Sequence, residues 1–540
     1  MLEGLMMDYP LTVTHFLERA GRQFPNAQVV WRRADKSVHR HRFTDLVRRS
    51  AQLAQALARL GVKPTDRVAT LCWNHAAHVE AYLTVPCMGA VLHTLNLRLH
   101  PDELAFIARH AEDKVVIVDR SLLPLFNKFR ARIPTLEHVI VVSEDGAAPD
   151  EGLDYEALLA QERGDFAWPP LDERSAAMLC YTSGTTGNPK GVLYSHRSIA
   201  LHTLLVNAAD GLGIGARDVV LPVVPMFHAM AWGLVHGALA AGADLVLPGP
   251  HLDPESLLSL MEQEKVTFAG GVPTIWLGIL AALDQAPQRF NLSSLKEMVI
   301  GGAAAPPSLI DGFKKRHGLT VLHAWGMTET NPLGTVARVK KSLGHLDDPG
   351  QLKVRATQGY AACFVETRHV NDQGTVLAWD GETMGELEVR GPWVAKAYFG
   401  GDGKDRFTSD GWFKTGDVVT IDRDGYVAIT DRSKDVIKSG GEWISSVALE
   451  NALMSHPAIL EAAVFAGRDP KWDERPIAAV VFKKGQTATE AELRAHLEPH
   501  FARFWMPAAW VTLEQIPRTS TGKFLKSALR QKYGDMLSQP

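Results

Sequence analysis

Cysteine is scarce in this chain: four residues, Cys72, Cys87, Cys180 and Cys363, are spread over 540, and none stands in CxxC spacing. A disulfide framework is excluded, and a reducing cytoplasmic setting is expected. Long basic blocks are also missing. Lys and Arg total 57 against 61 Asp and Glu, a formal charge of -4, so no cationic stripe exists to neutralise a row of phosphates, and nucleic acid is not an expected partner. The amino-terminal MLEGLMMDYPLT carries Glu3 and Asp8 where a secretion signal needs a basic region followed by an apolar stretch. One long run, between Asp218 and Asp244, lacks charged side chains, but Pro222, Pro225, His228, His236 and several glycines interrupt it. It reads as buried core rather than as a stable membrane span.

What the chain does contain is globular texture: 46% hydrophobic and 22% charged residues, with 45 Gly and 30 Pro. Its length exceeds what one core organises, so two or more folding units are expected. Apolar strand patterns alternate with amphipathic helix patterns through FTDLVRRSAQLAQALARLG, DRVATLCW, AAHVEAYLTVPCMGAVLHTL and KVVIVD. The rhythm resumes in DVVLPVVP, ADLVLP, VTFAG and EMVIGGAA, with helices expected over 254–264 and 307–315. Two layered α/β subdomains with parallel sheets follow from this. Beyond about Arg355, short alternating segments between Gly turns (GELEVRG, GWFKTGDVVTIDRDG, YVAITDRS) predict a β-barrel-like subdomain. The texture then resets to three strand patterns, ILEAAVFAGRD, PIAAVVFK and WVTLEQIP, with helices expected over 489–497 and 523–532. The fold class is therefore α/β, with a large amino-terminal domain over 1–430, a hinge at 431–433 and a small α+β domain over 434–540.

The sharpest local signal is YTSGTTGNPKG at 181–191, after the strand pattern AAMLCY and before the helix pattern SHRSIALHTLLVN. Gly184, Gly187 and Gly191 permit tight backbone placement, Ser183, Thr185 and Thr186 add hydroxyls, and Lys190 adds a cation. Such a loop suits a polyphosphate, a structural turn being the alternative; it does not satisfy the Walker A pattern. A second cluster, VLHAWGMTET at 321–330, is preceded by the small-residue turn GGAAAP at 301–306. Trp325 is either a plate for a flat base or core packing, and Glu329 is either an oxygen ligand for Mg²⁺ or a solvated helix start. A third, WFKTGD at 412–417, offers Asp417 to two ribose hydroxyls, with Arg432 adding donors. Asp431, Arg432, Lys434, Asp435 and Lys438, just before Gly440 and Gly441, read as a charged pivot. Finally, PRTSTGKFLKSALR places Lys523 after Thr521 and Gly522, where it is either solvated or inserted over redistributing negative charge.

In their order, these segments resemble the adenylate-forming family that includes acyl-CoA synthetases, firefly luciferases and nonribosomal peptide adenylation domains, over nearly the whole chain. PMFHAMAWG at 225–233 and KSGGEWISSVALENAL are similar to the medium- and long-chain acyl-CoA synthetase branch, which includes bacterial 3-methylmercaptopropionate-CoA ligases. Trp325 stands where the family more commonly has Tyr, keeping an aromatic plate. The resemblance implies an acid–thiol ligase: carboxylate and ATP give acyl-AMP and pyrophosphate, and CoA thiolate then displaces AMP. No appended carrier-protein domain is evident, which favours free CoA.

The resemblance also implies roles. The nucleotide would be held by Ser183, Gly184, Thr185, Thr186, Gly187 and Lys190 in the phosphate loop, by Gly302, Ala303, Ala304, His323, Ala324, Trp325, Gly326 and Thr328, and by Asp417, Arg432 and Lys434. Thr185 and Glu329 would hold Mg²⁺, and Lys523 would stabilise the adenylation transition state. His228 would position the carboxylate or sense its occupancy, a core histidine being the alternative. Trp232, Pro273 and Thr274 would shape or gate the acyl pocket, with plain packing the alternative for Trp232. Lys438, Gly440, Gly441, Glu442 and Trp443 would approach CoA once a mobile carboxyl-terminal domain rotates about Asp431. The expected acid is 3-methylmercaptopropionate or a short- or medium-chain fatty acid, the alternative a long-chain or aromatic acid, and a homodimer is expected. A degenerate nucleotide-binding sensor is the reading from a different class; Thr185, Glu329, Asp417 and Lys523 together argue against it.

Overall fold

Parallel strands covered on both faces need continuous apolar runs, and the runs named above supply them. The computed structural model describes residues 1–182, 188–439, 442–519 and 523–538; Ser183, Gly184, Thr185, Thr186, Gly187, Gly440 and Gly441 lie outside the described residues, as does the side chain of Glu442. Among the described residues the strands form four sheets.

The first sheet has seven strands in the order Leu153–Asp154, His138–Val142, Asp113–Asp119, Arg67–Leu71, Val91–Thr94, Ala176–Tyr181 and Gly191–Ser195. Every neighbouring pair is parallel except the last, which is antiparallel with Tyr181 opposite Gly191. The sequence pattern implied a passage from strand through loop to helix, and here the fold differs. Gly191–Ser195 returns beside Ala176–Tyr181, so residues 182–190 connect a hairpin. Helix His196–Asn207 begins only afterwards, capped where Ser195 Oγ accepts the Ser198 N–H at 3.1 Å. A five-residue strand beside a long apolar helix is too short for periodicity to separate.

The second sheet has nine strands, ordered Tyr360–Ala361, Leu333–Val336, Thr320–Gly326, Glu297–Ile300, Phe268–Gly271, Val219–Pro222, Asp244–Leu247, Gln28–Arg32 and Val38–Arg42. From Thr320–Gly326 to Gln28–Arg32 all pairs are parallel, and the outer strands are antiparallel. The uncharged run becomes strand Val219–Pro222, a turn and the core helix Leu234–Ala241. No helix among the described residues is long and apolar enough to cross a membrane. A four-stranded antiparallel sheet, Glu366–Val370, Gly385–Arg390, Phe413–Ile421 and Val427–Arg432, sets Asp417 opposite Arg432 and Val418 opposite Asp431.

The chain thus has a large amino-terminal α/β domain with mixed sheets and a smaller, distinct α+β domain at its carboxyl end. In the smaller one, strand Ile459–Asp469 alternates its side chains between two cores: Ala462 and Val464 join Leu449 and Leu493 on one face, and Ala463 and Phe465 join Ile516 and Leu529 on the other. The last helix runs Lys526–Tyr533, three residues later than the pattern implied. Lys526 turns inward, its Nζ 2.7 Å from Glu450 Oε1 with both side chains buried, and Lys523 is left on the connection ahead of the helix. Of the cysteines, Cys363 is exposed and the other three are buried.

Candidate active site

In open α/β sheets the carboxyl ends of parallel strands leave a crevice where the connecting loops diverge. Here Val219–Pro222, Phe268–Gly271, Glu297–Ile300 and Thr320–Gly326 lead into segments that line a cavity of about 370 Å³. They contribute His228 and Trp232, then Pro273 and Thr274, then Gly302, Ala303 and Ala304, and then His323, Ala324, Trp325, Gly326, Thr328 and Glu329. Asp417, Asp431 and Arg432 arrive from the antiparallel sheet and Lys434 from just after it, Lys190 from the residue before strand Gly191–Ser195, and Lys523 from the smaller domain. Sequence-derived residues more than two hundred positions apart are thereby brought to one space. Lys438 and Trp443 are not among its lining; they face each other across the hairpin of Ile437–Ser439 and Glu442–Ile444, with Lys438 Nζ 5.4 Å from the Trp443 ring.

Trp325 is both buried and tethered. Its Nε1–H donates to Asp417 Oδ2 at 2.8 Å, and Arg432 Nε lies 2.7 Å from Asp417 Oδ1. Backbone approach explains Gly326: a Cβ there would fall 2.0 Å from the Pro332 carbonyl oxygen. His323 is a strut between the small-residue turn and helix Asp348–Ala356, its Nε2 accepting the Ala305 N–H at 3.4 Å while Nδ1–H donates to the Ala356 carbonyl at 3.2 Å. Burial lowers its imidazole to about 4, consistent with that neutral tautomer.

His228 is held by a chain of backbone anchors. The Asn74 amide donates to the carbonyls of Pro222 and Val224, each at 3.0 Å, and its oxygen accepts the Met226 N–H at 2.8 Å. Burial, then the nearby Lys523 and Arg98, hold the His228 imidazole down to about 4, so at neutral pH it offers an N–H and a lone pair rather than a charge. Directly after it, Ala229, Met230, Ala231 and Trp232 all take left-handed backbone, with φ of 41°, 52°, 50° and 58°. Each such L-residue costs ~1–2 kcal/mol, so packing must enforce the turn. It lays the Trp232 ring over Gly301 and Gly302, 3.4 to 3.6 Å from where their Cβ atoms would be.

Glu329 lies in the short turn Thr328–Thr330, only 6% exposed. Its carbonyl accepts the Ala395 N–H at 2.8 Å, and its Oε1 accepts the Tyr398 hydroxyl at 2.5 Å. One carboxylate opening on a cavity suits Mg²⁺, which takes few protein oxygens and completes its shell with phosphates and water. Elsewhere Cys72, His75 and Asp119 lie close together, but His75 Nε2 is 2.6 Å from Asp119 Oδ1 and the Trp73 N–H occupies Asp119 Oδ2 at 2.7 Å, a structural pairing.

Lys523 is oriented by Thr519, whose Oγ1 accepts the Lys523 N–H at 3.2 Å and whose own N–H donates to the Lys523 carbonyl at 2.8 Å. Burial, reinforced by Arg432, lowers its ammonium to about 8, while Asp417 and Glu329 oppose the shift. Asp431, 1% exposed, accepts the Ser446 N–H at 2.9 Å and the Arg432 N–H at 2.8 Å, linking the antiparallel sheet to the first helix of the smaller domain. Sequence reasoning missed Asn74, Tyr398, Glu450 and Lys526. Glu450 and Lys526 had nearby signals, their places in the KSGGEWISSVALENAL and PRTSTGKFLK segments.

The profile of the AMP-binding enzyme family matches residues 17–399, and that of the AMP-binding enzyme C-terminal domain matches 448–523. The chain belongs to the AMP-binding enzyme family. It is 46% identical to 3-methylmercaptopropionyl-CoA ligase of Ruegeria pomeroyi, over 99% of both chains, and 47% identical to long-chain-fatty-acid–CoA ligase of Thermus thermophilus, over 98% of this chain and 96% of that one. The anthranilate CoA ligase AuaEII, solved with anthranoyl-AMP, superposes with a TM-score of 0.87 at 26% identity, covering 98% of this chain and 99% of that one. This family member is an AMP-forming acyl-CoA ligase, which activates a carboxylic acid with ATP as acyl-AMP and passes the acyl group to CoA.

Proposed function

We propose that the ligase acts on 3-methylmercaptopropionate or a short- or medium-chain fatty acid, with a long-chain or aromatic acid as the second reading. Two relatives named 3-methylmercaptopropionyl-CoA ligase, at 46% and 44% identity, support the first, and one named long-chain-fatty-acid–CoA ligase, at 47%, keeps the second open. The Trp232 ring over the Gly301–Gly302 floor favours a short apolar pocket, since it fills space a longer chain would need. The observation that carries the site reading is the convergence of Lys523, Glu329 and Asp417 on one cavity.

In this reading Asp417 takes the ribose hydroxyls, Trp325 and the 302–304 turn flank the adenine, and Lys190 meets the outer phosphates beside the loop of Ser183 to Gly187. Mg²⁺ would be held by Glu329 and Thr185, and when bound it screens the phosphates from the approaching carboxylate. Neutral His228 orients that carboxylate, whose oxygen attacks the α-phosphorus as pyrophosphate departs, and the Lys523 ammonium offsets charge growing on the α-phosphate. CoA thiolate then attacks the acyl carbon and AMP leaves. With Lys523 in the cavity and Lys438 and Trp443 outside it, the arrangement suits the first step. The second calls for rotation of 434–540 about the hinge 431–433, which would bring Lys438, Gly440, Gly441, Glu442 and Trp443 to CoA. The division at 430, a barrel-like character of the antiparallel sheet, and a cytoplasmic homodimer belong to the same proposal.

Incubation with Mg²⁺, ATP, CoA and a panel of acids, read by mass spectrometry, is expected to give AMP and thioester in equal amounts, greatest for 3-methylmercaptopropionate or a short straight chain. A maximum at long or aromatic acids would select the second reading, and acyl-AMP without thioester would overturn free CoA as acceptor. Asp431→Pro, which fixes φ at the pivot, is expected to slow thioester formation about tenfold more than adenylation in single-turnover experiments. Equal effects on both half-reactions would remove Asp431 from the hinge.

A further inference from the structure

Tyr398 joins two charged groups that the sequence places more than a hundred residues apart. Its side chain lies in the cavity wall and is 5% exposed, packed edge-on against Phe407 and Phe413 at ring separations of 5.7 and 6.4 Å. That packing leaves the ring little freedom. The hydroxyl donates to Glu329 Oε1 at 2.5 Å, and Lys190 Nζ stands over the ring, 5.6 Å from its centroid. One rigid aromatic therefore presents an O–H to an anion and a π-face to a cation.

We propose that Tyr398 is a positioning residue for the metal–triphosphate end of the ATP site, holding the Glu329 carboxylate in one rotamer and the Lys190 ammonium on one side of the cavity. The inference rests on the reading of Glu329 as the Mg²⁺ ligand and Lys190 as the phosphate contact. A free glutamate has several rotamers, and a lysine more; fixing both before ATP arrives removes an ordering cost from binding. Glu329 lines the cavity with one oxygen engaged by Tyr398, an arrangement that suits a carboxylate supplying a single metal bond through the other. AMP, lacking the β- and γ-phosphates, should be indifferent to this arrangement.

Calorimetric titration of the full-length protein with ATP and Mn²⁺, without acid or CoA, tests the proposal against a parallel titration with metal-free AMP. Tyr398→Phe keeps the ring and loses the O–H; it is expected to weaken metal–ATP binding about tenfold, the size of a charge-assisted hydrogen bond, and AMP binding less than about twofold. Tyr398→Leu should weaken metal–ATP about threefold more, through the lost cation–π seat, and this added loss should vanish in a Lys190→Ala background. The double variant Tyr398→Phe/Glu329→Gln should bind no more weakly than Glu329→Gln alone. If Glu329→Gln weakens metal–ATP binding and Tyr398→Phe does not, the Tyr398 role is overturned and the Glu329 reading stands. If Glu329→Gln binds metal–ATP as the wild type does, the reading of Glu329 falls and the inference with it. Equal weakening of AMP and metal–ATP by Tyr398→Phe would reduce Tyr398 to packing and overturn the proposal.

Discussion

Lys523→Ala is expected to slow acyl-AMP formation about 100- to 1,000-fold, while thioester formation from supplied acyl-AMP and CoA changes less than about threefold. The asymmetry follows from position. Lys523 reaches the cavity beside Glu329 and Asp417, where in the proposed reading its charge opposes that gathering on the α-phosphate, whereas thiolate attack occurs at an acyl carbon after pyrophosphate has gone. The pH dependence carries a second signature. Burial lowers the Lys523 ammonium to about 8, so the cation is present below that pH and lost above it. The adenylation kcat/KM for ATP should therefore fall as pH rises through about 8. In Lys523→Arg the fall should disappear, since a guanidinium stays protonated. Rapid-quench measurement of each half-reaction decides the matter: equal losses in both would reject a role confined to adenylation.

Asp417→Ala is expected to raise the ATP concentration for half-saturation about 100-fold, with a smaller effect on the rate at saturation. The carboxylate, 1% exposed, accepts the Trp325 indole N–H and pairs with Arg432 while keeping lone pairs for ribose hydroxyls. Alanine removes the acceptor and strands the buried indole N–H, so in the proposed reading the nucleotide loses both its ribose contact and the ring that flanks its base. Asp417→Asn, which can still accept from Trp325, should cost only about tenfold. Equilibrium dialysis with ATP and 2′-deoxy-ATP separates these terms: the wild type should distinguish the two nucleotides and Asp417→Ala should not. Undiminished discrimination in Asp417→Ala would place the ribose elsewhere.

The parts of this molecule legible in its sequence are those where local pattern and chemistry coincide. Apolar runs marked the parallel strands because burial on both faces demands them, and the segments VLHAWGMTET, WFKTGD and PRTSTGKFLK marked residues that come to line one cavity, Trp325, Glu329, Asp417 and Lys523 among them. The hairpin return Gly191–Ser195 was not legible, since five residues beside a long apolar helix carry too little alternation. Tyr398 was hidden for another reason: nothing in AYFGG distinguishes a tyrosine that will face Glu329 from one that fills a core. Asn74 likewise acts by anchoring backbone almost 150 residues away, a relation that appears only after the two sheets pack. Lys523 and Lys526 illustrate the boundary: one helix pattern covered both, and only the later helix start leaves Lys523 on the connection while Lys526, also at the cavity wall, is tied to Glu450.

The left-handed turn at Ala229–Trp232 bears on breeding for appetite more than on breeding for hardiness. Glycine at Ala231 would exchange a backbone cost of ~1–2 kcal/mol for an entropy cost of ~0.5–1 kcal/mol and the loss of one buried methyl, so stability should change little. The same exchange loosens the segment that presses the Trp232 ring onto Gly301 and Gly302. In the proposed reading of Trp232 as a wall of the acyl pocket, Ala231→Gly is expected to broaden the range of acids the ligase admits, checked by comparing kcat/KM across the acid panel for variant and wild type.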